Sequence, residues 1–166
     1  MLSKKRPQIE NEDQTLIREL YRPLRRFAAV VGPAEIDPDD LVQEALLKAL
    51  ERGSLRELNQ PGAYLRRTVF NLASNQRRVL GRRRRALMRL ASGETYVPAY
   101  PSDVQELLRL APKARAALYL SSVEGRTFAE IAELLGCSEA SVGKAASRGR
   151  RKLRRALLEE ENSATA

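Results

Sequence analysis

Residues 128–147 read FAEIAELLGCSEASVGKAAS, and the fold turns on this stretch. Ala132 is small where two helices would cross closely. Gly136, four residues on, supplies a turn in which positive φ is cheap. Val142, ten beyond Ala132, is spaced to pack a second helix onto the first. Ile131, Leu135 and Cys137 complete a small apolar core, with Cys137 read as a buried apolar residue rather than a redox group. The spacing predicts a helix-turn-helix, an element that places its second helix in a DNA major groove. An ordinary helical hairpin inside a bundle is the alternative. The following helix argues against it, because its exposed positions carry Lys144, Ser147, Arg148, Arg150, Arg151, Lys152, Arg154 and Arg155. Lys144, Ser147 and Arg148 are placed for base edges. Arg151, Arg154 and Arg155 suit the phosphate backbone or a solvated face.

Working outward, Thr127 with Glu130 three residues later forms a capping box that starts the first of these helices. A turn at Glu124-Gly125-Arg126 precedes it, after a helix over 113–124. Asp103 is placed to cap the segment 103–110. Ser138 caps a last helix over about 138–160, with Leu153 and Leu157 in its apolar stripe. Upstream, residues 91–102 (ASGETYVPAYPS) hold Gly, two Pro and two Ser without a helical period, so they read as a linker. The chain divides accordingly into 1–90, the linker 91–102, and 103–166.

The first half is also helical. Leu16, Leu20, Leu24, Phe27 and Val31 recur at three and four, with Pro23 expected to kink or break that helix and Gly32-Pro33 to end it. Asp37 caps the next helix, Pro38 fits its first position, and Asp39 and Asp40 favour its positive end. Leu41, Ala45, Leu46, Ala49 and Leu50 can face a core, with Asp40, Gln43, Glu44 and Lys48 largely opposite. After a loop at 53–60, a long helix runs from Pro61 to about 90. Leu65, Val69 and Leu72 line one face of it, and Gly81 is a possible interruption. Its second half, RRVLGRRRRALMRL, holds seven Arg and no acid in fourteen residues.

Charge sharpens this division. The 166 residues carry a net +9, and the excess is not spread evenly. Residues 53–90 hold ten basic residues and one acid, and residues 138–158 hold seven and one, while 1–52 hold nine and ten. Two basic blocks separated by a neutral-to-acidic stretch point to two contacts with one polyanion. With no His, one Cys and no phosphate-binding glycine motif, the chain lacks the usual parts of a catalytic or zinc site, so no enzyme activity, cofactor or metal is expected. The same features, with no apolar run of membrane-spanning length and no apolar segment after the basic N-terminus, fit a cytoplasmic protein without membrane insertion.

The segments DPDDLVQEALLKALE (37–51) and PGAYLRRTVFNLASNQRR (61–78), followed by a linker and a helix-turn-helix, resemble the sigma-70 family of RNA polymerase sigma factors, in its short extracytoplasmic-function (ECF) subgroup. The string D-x-x-D-L-V-Q-E is a specific signature of sigma region 2, and the likeness runs over about 14–158. It implies an all-α chain of two small helical domains, a region 2-like bundle at 1–90 and a region 4-like helix-turn-helix at 103–166. The implied function is transcription initiation: binding core polymerase, recognising minus-ten and minus-thirty-five promoter elements, and helping to melt the duplex. Asp40, Leu41, Gln43 and Glu44 would dock on the β′ clamp helices. Tyr64, Arg66, Arg67, Asn71, Asn75, Arg77 and Arg78 would meet the minus-ten strand, helped by the loop 53–60. Ser141, Lys144, Ser147, Arg148 and Arg151 would meet the minus-thirty-five duplex, while the second half also touches the β flap. The resemblance further implies an anti-sigma factor as a possible partner. Gly143, Ala145 and Ala146 stand where the family often has basic or bulky residues, which predicts a plain base-reading turn. Asn75 replaces a frequent Asp. Two other readings compete: an autonomous helix-turn-helix regulator, and a basic RNA- or ribosome-associated protein. The latter explains the Arg run but not the spacing of Ala132, Gly136 and Val142.

Overall fold

In the structure, a computed structural model, residues 6–90 and 107–164 are described; the linker 91–102 and Asp103 lie outside the described residues. Six α-helices and one 3-10 turn make up the elements, and no strand occurs among the described residues. They are α1 (Arg6–Val31), α2 (Pro38–Leu50), the 3-10 turn Leu55–Glu57, α3 (Pro61–Leu90), α4 (Pro112–Ser122), α5 (Phe128–Leu135) and α6 (Glu139–Ala164).

The helices start and stop for local reasons. Asp37 accepts a 2.8 Å hydrogen bond from the Asp39 backbone N–H and starts α2. Ser54 caps the 3-10 turn, and its hydroxyl donates to the buried carboxylate of Asp13 at 2.9 Å, which ties that loop to α1. Thr127 and Glu130 form the full reciprocal capping box at the start of α5. Gly136 ends α5 at φ +65°, the left-handed conformation that glycine adopts at least cost. The Ser138 hydroxyl accepts from the Ser141 N–H at 3.3 Å and starts α6.

Pro23 does not break α1: the helix continues to Val31. The missing N–H and the ring cost the local ladder a bond. The neighbours of Pro23 offset this, since Leu24, Phe27, Ala28 and Val31 are all fully buried. Gly81 likewise leaves α3 intact, in open surroundings where no side chain is needed for packing.

Helices α1, α2 and α3 pack against one another, as do α4, α5 and α6. The two groups are themselves docked, α1 against α4 and α3 against α5, and the buried apolar side chains form one continuous core. Phe27 of α1 meets Tyr119 of α4 with ring centroids 6.0 Å apart. Ile131, Ala132 and Val142 are buried as their spacing requires. Ala146 is fully buried and Ala145 packs on the core, so these two alanines are packing positions rather than a plain part of a reading surface. Leu157 departs from its expected place: at 59% exposure it stands on a part of α6 that overhangs the bundle.

Helices α4 and α6 approach closely at Gly149. A Cβ there would sit 2.9 Å from the Leu118 side chain and 3.3 Å from that of Ala114. Small residues at this crossing let α6 lie directly on α4. Gly149→Val is therefore expected to lower unfolding stability by about 1–3 kcal/mol through overpacking, read as a lower urea midpoint with an unchanged slope.

Candidate nucleic-acid interface

The long helix α3 carries most of the candidates, and the packing sorts them by face. Asn71 and Asn75 are exposed, as are Arg67 and Arg78, while Tyr64 is half-buried. Along this face, where α2 ends against α3, lies an open cavity of about 530 Å³, lined by Lys48, Glu51, Arg52, Tyr64, Arg67, Asn71 and Asn75 among others. Amide and guanidinium groups at its wall can meet the donor and acceptor edges of a base, and the cations can meet its phosphate. The Asn75 side-chain oxygen accepts from Arg78 Nη2 at 2.6 Å, which orients that amide on the helix surface. Lys48 and Arg52 were not among the residues expected here. They reach the cavity because of how α2 packs on α3, and one-helix periodicity holds no signal for that.

Two expected strand contacts are instead structural in this arrangement. Arg66 is 7% exposed. Its Nε and Nη2 lie 3.0 and 2.9 Å from Oε1 of Glu124, and Nη1 donates to the Gly62 carbonyl at 3.0 Å. Glu124 Oε2 also accepts from Arg126 Nε at 3.2 Å. Arg77 is half-buried and donates from Nη2 to the carbonyls of Val31 and Gly32, the open end of α1. Burial pushes its guanidinium below the ordinary arginine range, with Glu35 opposing that shift. The reason for both departures is the same: the face of α3 bearing Arg66 and Arg77 is turned toward neighbouring helices, and a buried guanidinium needs acceptors.

On α2, Asp40 and Gln43 are exposed and Glu44 is partly exposed, forming a 3.0 Å ion pair with Lys48. Leu41 is 1% exposed and belongs to the core, so it cannot form part of an outward face. Leu47 and Leu50 are the apolar residues that this helix shows to solvent, at 62% and 40% exposure. At the opposite end of the helix, Asp39 accepts from the Tyr21 hydroxyl at 2.7 Å and from Arg25 Nε at 3.0 Å. On α6, Lys144, Ser147, Arg148 and Arg151 are exposed along one basic surface. Ser141 is half-buried and its hydroxyl accepts from Lys113 Nζ at 3.2 Å.

Known proteins match this arrangement. Residues 16–85 match sigma-70 region 2, and residues 104–153 match sigma-70 region 4. The chain belongs to the sigma-70 family. Its likeness is to the ECF group: the ECF RNA polymerase sigma factor SigM of Mycobacterium tuberculosis, found in two strains, is 29% identical over 153 residues, covering 86% of this chain and 75% of that relative. The sigma factor RpoE, solved with the anti-sigma factor NepR from Bartonella quintana, shares the fold at a TM-score of 0.69 and 21% identity, over 87% of this chain and 95% of that one. This sigma factor is a transcription initiation factor, working with core RNA polymerase on promoter DNA. Among the described residues no helix is long and apolar enough to cross a membrane.

Two carboxylates of this sigma factor make its acid limb predictable. Hydrogen bonds from Tyr21 and then Arg25 hold Asp39 below the ordinary carboxylate range, and the Thr127 backbone and hydroxyl do the same for Glu130. A carboxylate depressed in the folded state adds stability above its unfolded pKa, near 4, and loses it as pH falls through the folded value. Unfolding stability should therefore drop below about pH 4, and Asp39→Asn should flatten that drop in denaturant titrations.

Proposed function

We propose that the sigma factor reads its promoter with two separate surfaces and docks on polymerase with a third. The cavity where α2 ends against α3 carries the minus-ten reading. Extruding a base from the stack costs a few kcal/mol, and a pocket walled by amides and cations offsets that cost. Tyr64, Arg67, Asn71, Asn75 and Arg78 act on the displaced strand, with Lys48 and Arg52 closing the opposite wall. The basic face of α6, with Lys144, Ser147, Arg148 and Arg151, takes the minus-thirty-five duplex in its major groove. The domain division at the linker 91–102 gives each element its own unit.

Asp40, Gln43 and Glu44 are the polar part of the polymerase surface, on the β′ clamp helices, and Leu47 and Leu50 are its apolar part. An acidic rim with two exposed leucines suits a protein partner far better than DNA. The second half also reaches the β flap. RpoE was solved with an anti-sigma factor bound, and a partner of that class covering this face would hold the present factor inactive. The covalent chemistry of initiation stays with the polymerase, and the place of action is the cytoplasm. A basic RNA-associated protein has no use for a helix-turn-helix with a reading face, and an autonomous regulator has none for the outer face of α2.

In the docked arrangement Glu130 and Glu133 line a second cavity together with Tyr64 and Arg67. Arg126 lines it too, so its charges balance, and it is the packing of α5 itself that covers this edge of α3 against a phosphate chain. Promoter engagement therefore separates the two halves.

The test is binding of the reconstituted holoenzyme to promoter DNA. Asn71→Ala or Asn75→Ala should weaken binding to a template with an opened minus-ten element by about 1–3 kcal/mol, with duplex upstream binding unchanged. Arg151→Ala should weaken duplex binding and reduce the salt dependence by roughly one phosphate contact. Failure of the wild-type chain to co-elute with core polymerase would overturn the reading.

A further inference from the structure

Between the two halves lies a third cavity, of about 320 Å³, away from the surfaces assigned above. Its walls include Glu35 from the α1–α2 loop, Arg77 and Arg84 from α3, and Arg115 from α4. Arg115 is the unusual member. It is 3% exposed, and neither Nε nor Nη1 has a hydrogen-bond partner. An arginine stays charged at any physiological pH, so burial without an acceptor is costly. Elsewhere the chain meets that need: Arg66, also buried, has Glu124 and a carbonyl. Around Arg115 the described side chains lining the cavity bring two further guanidinium groups and one carboxylate, and that carboxylate is already 2.9 Å from Arg84. The cavity thus has an excess of two positive charges and unused donors. A fork of planar N–H groups matches the oxygens of a phosphate, and a dianion matches the excess charge.

We propose that this cavity binds a small phosphate-bearing anion, with Arg115 as its buried anchor and Arg77 and Arg84 completing the cradle. Because α3 supplies one wall and α4 the other, the site exists only while the halves are docked. Anything that binds it stabilises docking by mass action. On the functional reading above, on which this last step rests, such a ligand would oppose promoter engagement and link initiation to the supply of a phosphorylated small molecule.

The experiment uses the full chain without polymerase. Isothermal titration with inorganic phosphate, pyrophosphate and a nucleoside diphosphate would be compared with sodium chloride of matched ionic strength and with a short DNA duplex. At least one of the three small phosphates should bind with Kd below about 1 mM and raise Tm, and which one binds tells a bare phosphate from a phosphorylated metabolite. Arg115→Met, apolar and of similar length, should weaken that binding at least tenfold. Without ligand the variant should be as stable as the parent or more so, because it removes an unpaired buried charge. Glu35→Gln, on the surface and harmless to the core, should tighten binding several-fold by removing the competing carboxylate. Equal effects of phosphate and chloride, protection by duplex alone, or unchanged binding in both variants would each overturn the site. These outcomes are independent of the functional reading, which is decided with core polymerase in phosphate-free buffer. There, loss of the site with intact promoter binding overturns only the present inference.

Discussion

A buried guanidinium needs acceptors, and the docking of the two halves follows from how Arg66 meets that demand. Arg66 lies on α3 in the first half, and Glu124 follows α4 in the second. Their side chains are 8% and 15% exposed, in contact at 2.9 Å. Removing one partner of such a pair typically costs about 3–5 kcal/mol, because the other charge is left without compensation. The pair fixes orientation as well as contact: with Arg126 on the second carboxylate oxygen, Glu124 holds the turn before α5 at one place along α3. The rest of the interface follows, with Phe27 against Tyr119 and α5 laid on α3.

This docking decides which surfaces are open. The base-sized cavity beside Asn71 and Asn75 stays accessible, as do the outer face of α2 and the basic face of α6. The edge near Tyr64 and Arg67 is shared with Glu130 and Glu133. The net charge of +9 is therefore not a uniform attraction for nucleic acid. Some of it is spent on structure, as Arg66 and Arg77 show, and some is exposed for phosphate. An ion pair between halves that each also need DNA suits a protein held in one arrangement alone and another on its partner, because charges released from the pair can be solvated or meet phosphate.

Much of the fold was legible in the residues. Asp37, Thr127 with Glu130, and Gly136 mark helix ends by chemistry that is local, and the structure places each in that role. Ala132 and Val142 carry the helix-turn-helix because their spacing alone sets which faces meet. What could not be read depended on tertiary packing. Pro23 reads as a break by its own chemistry, but the buried leucine and phenylalanine after it hold the helix together. Arg66 and Arg77 look like their exposed neighbours Arg67 and Arg78 in the sequence; only the partner helices turn one pair inward. Leu41 satisfies both a core period and a family signature, and burial decides between them. Lys48 and Arg52 join the cavity through the α2–α3 crossing, and Arg115 becomes notable only once its surroundings lack an acceptor.

One chain should hold a promoter at two places, and only through polymerase. Footprinting of promoter DNA with the sigma factor alone, with core polymerase alone and with both together tests it most directly. Protection of both the minus-ten and minus-thirty-five segments, with unpaired bases at the former, is expected only when both proteins are present. Full protection by the sigma factor alone, or none when both are present, would contradict it.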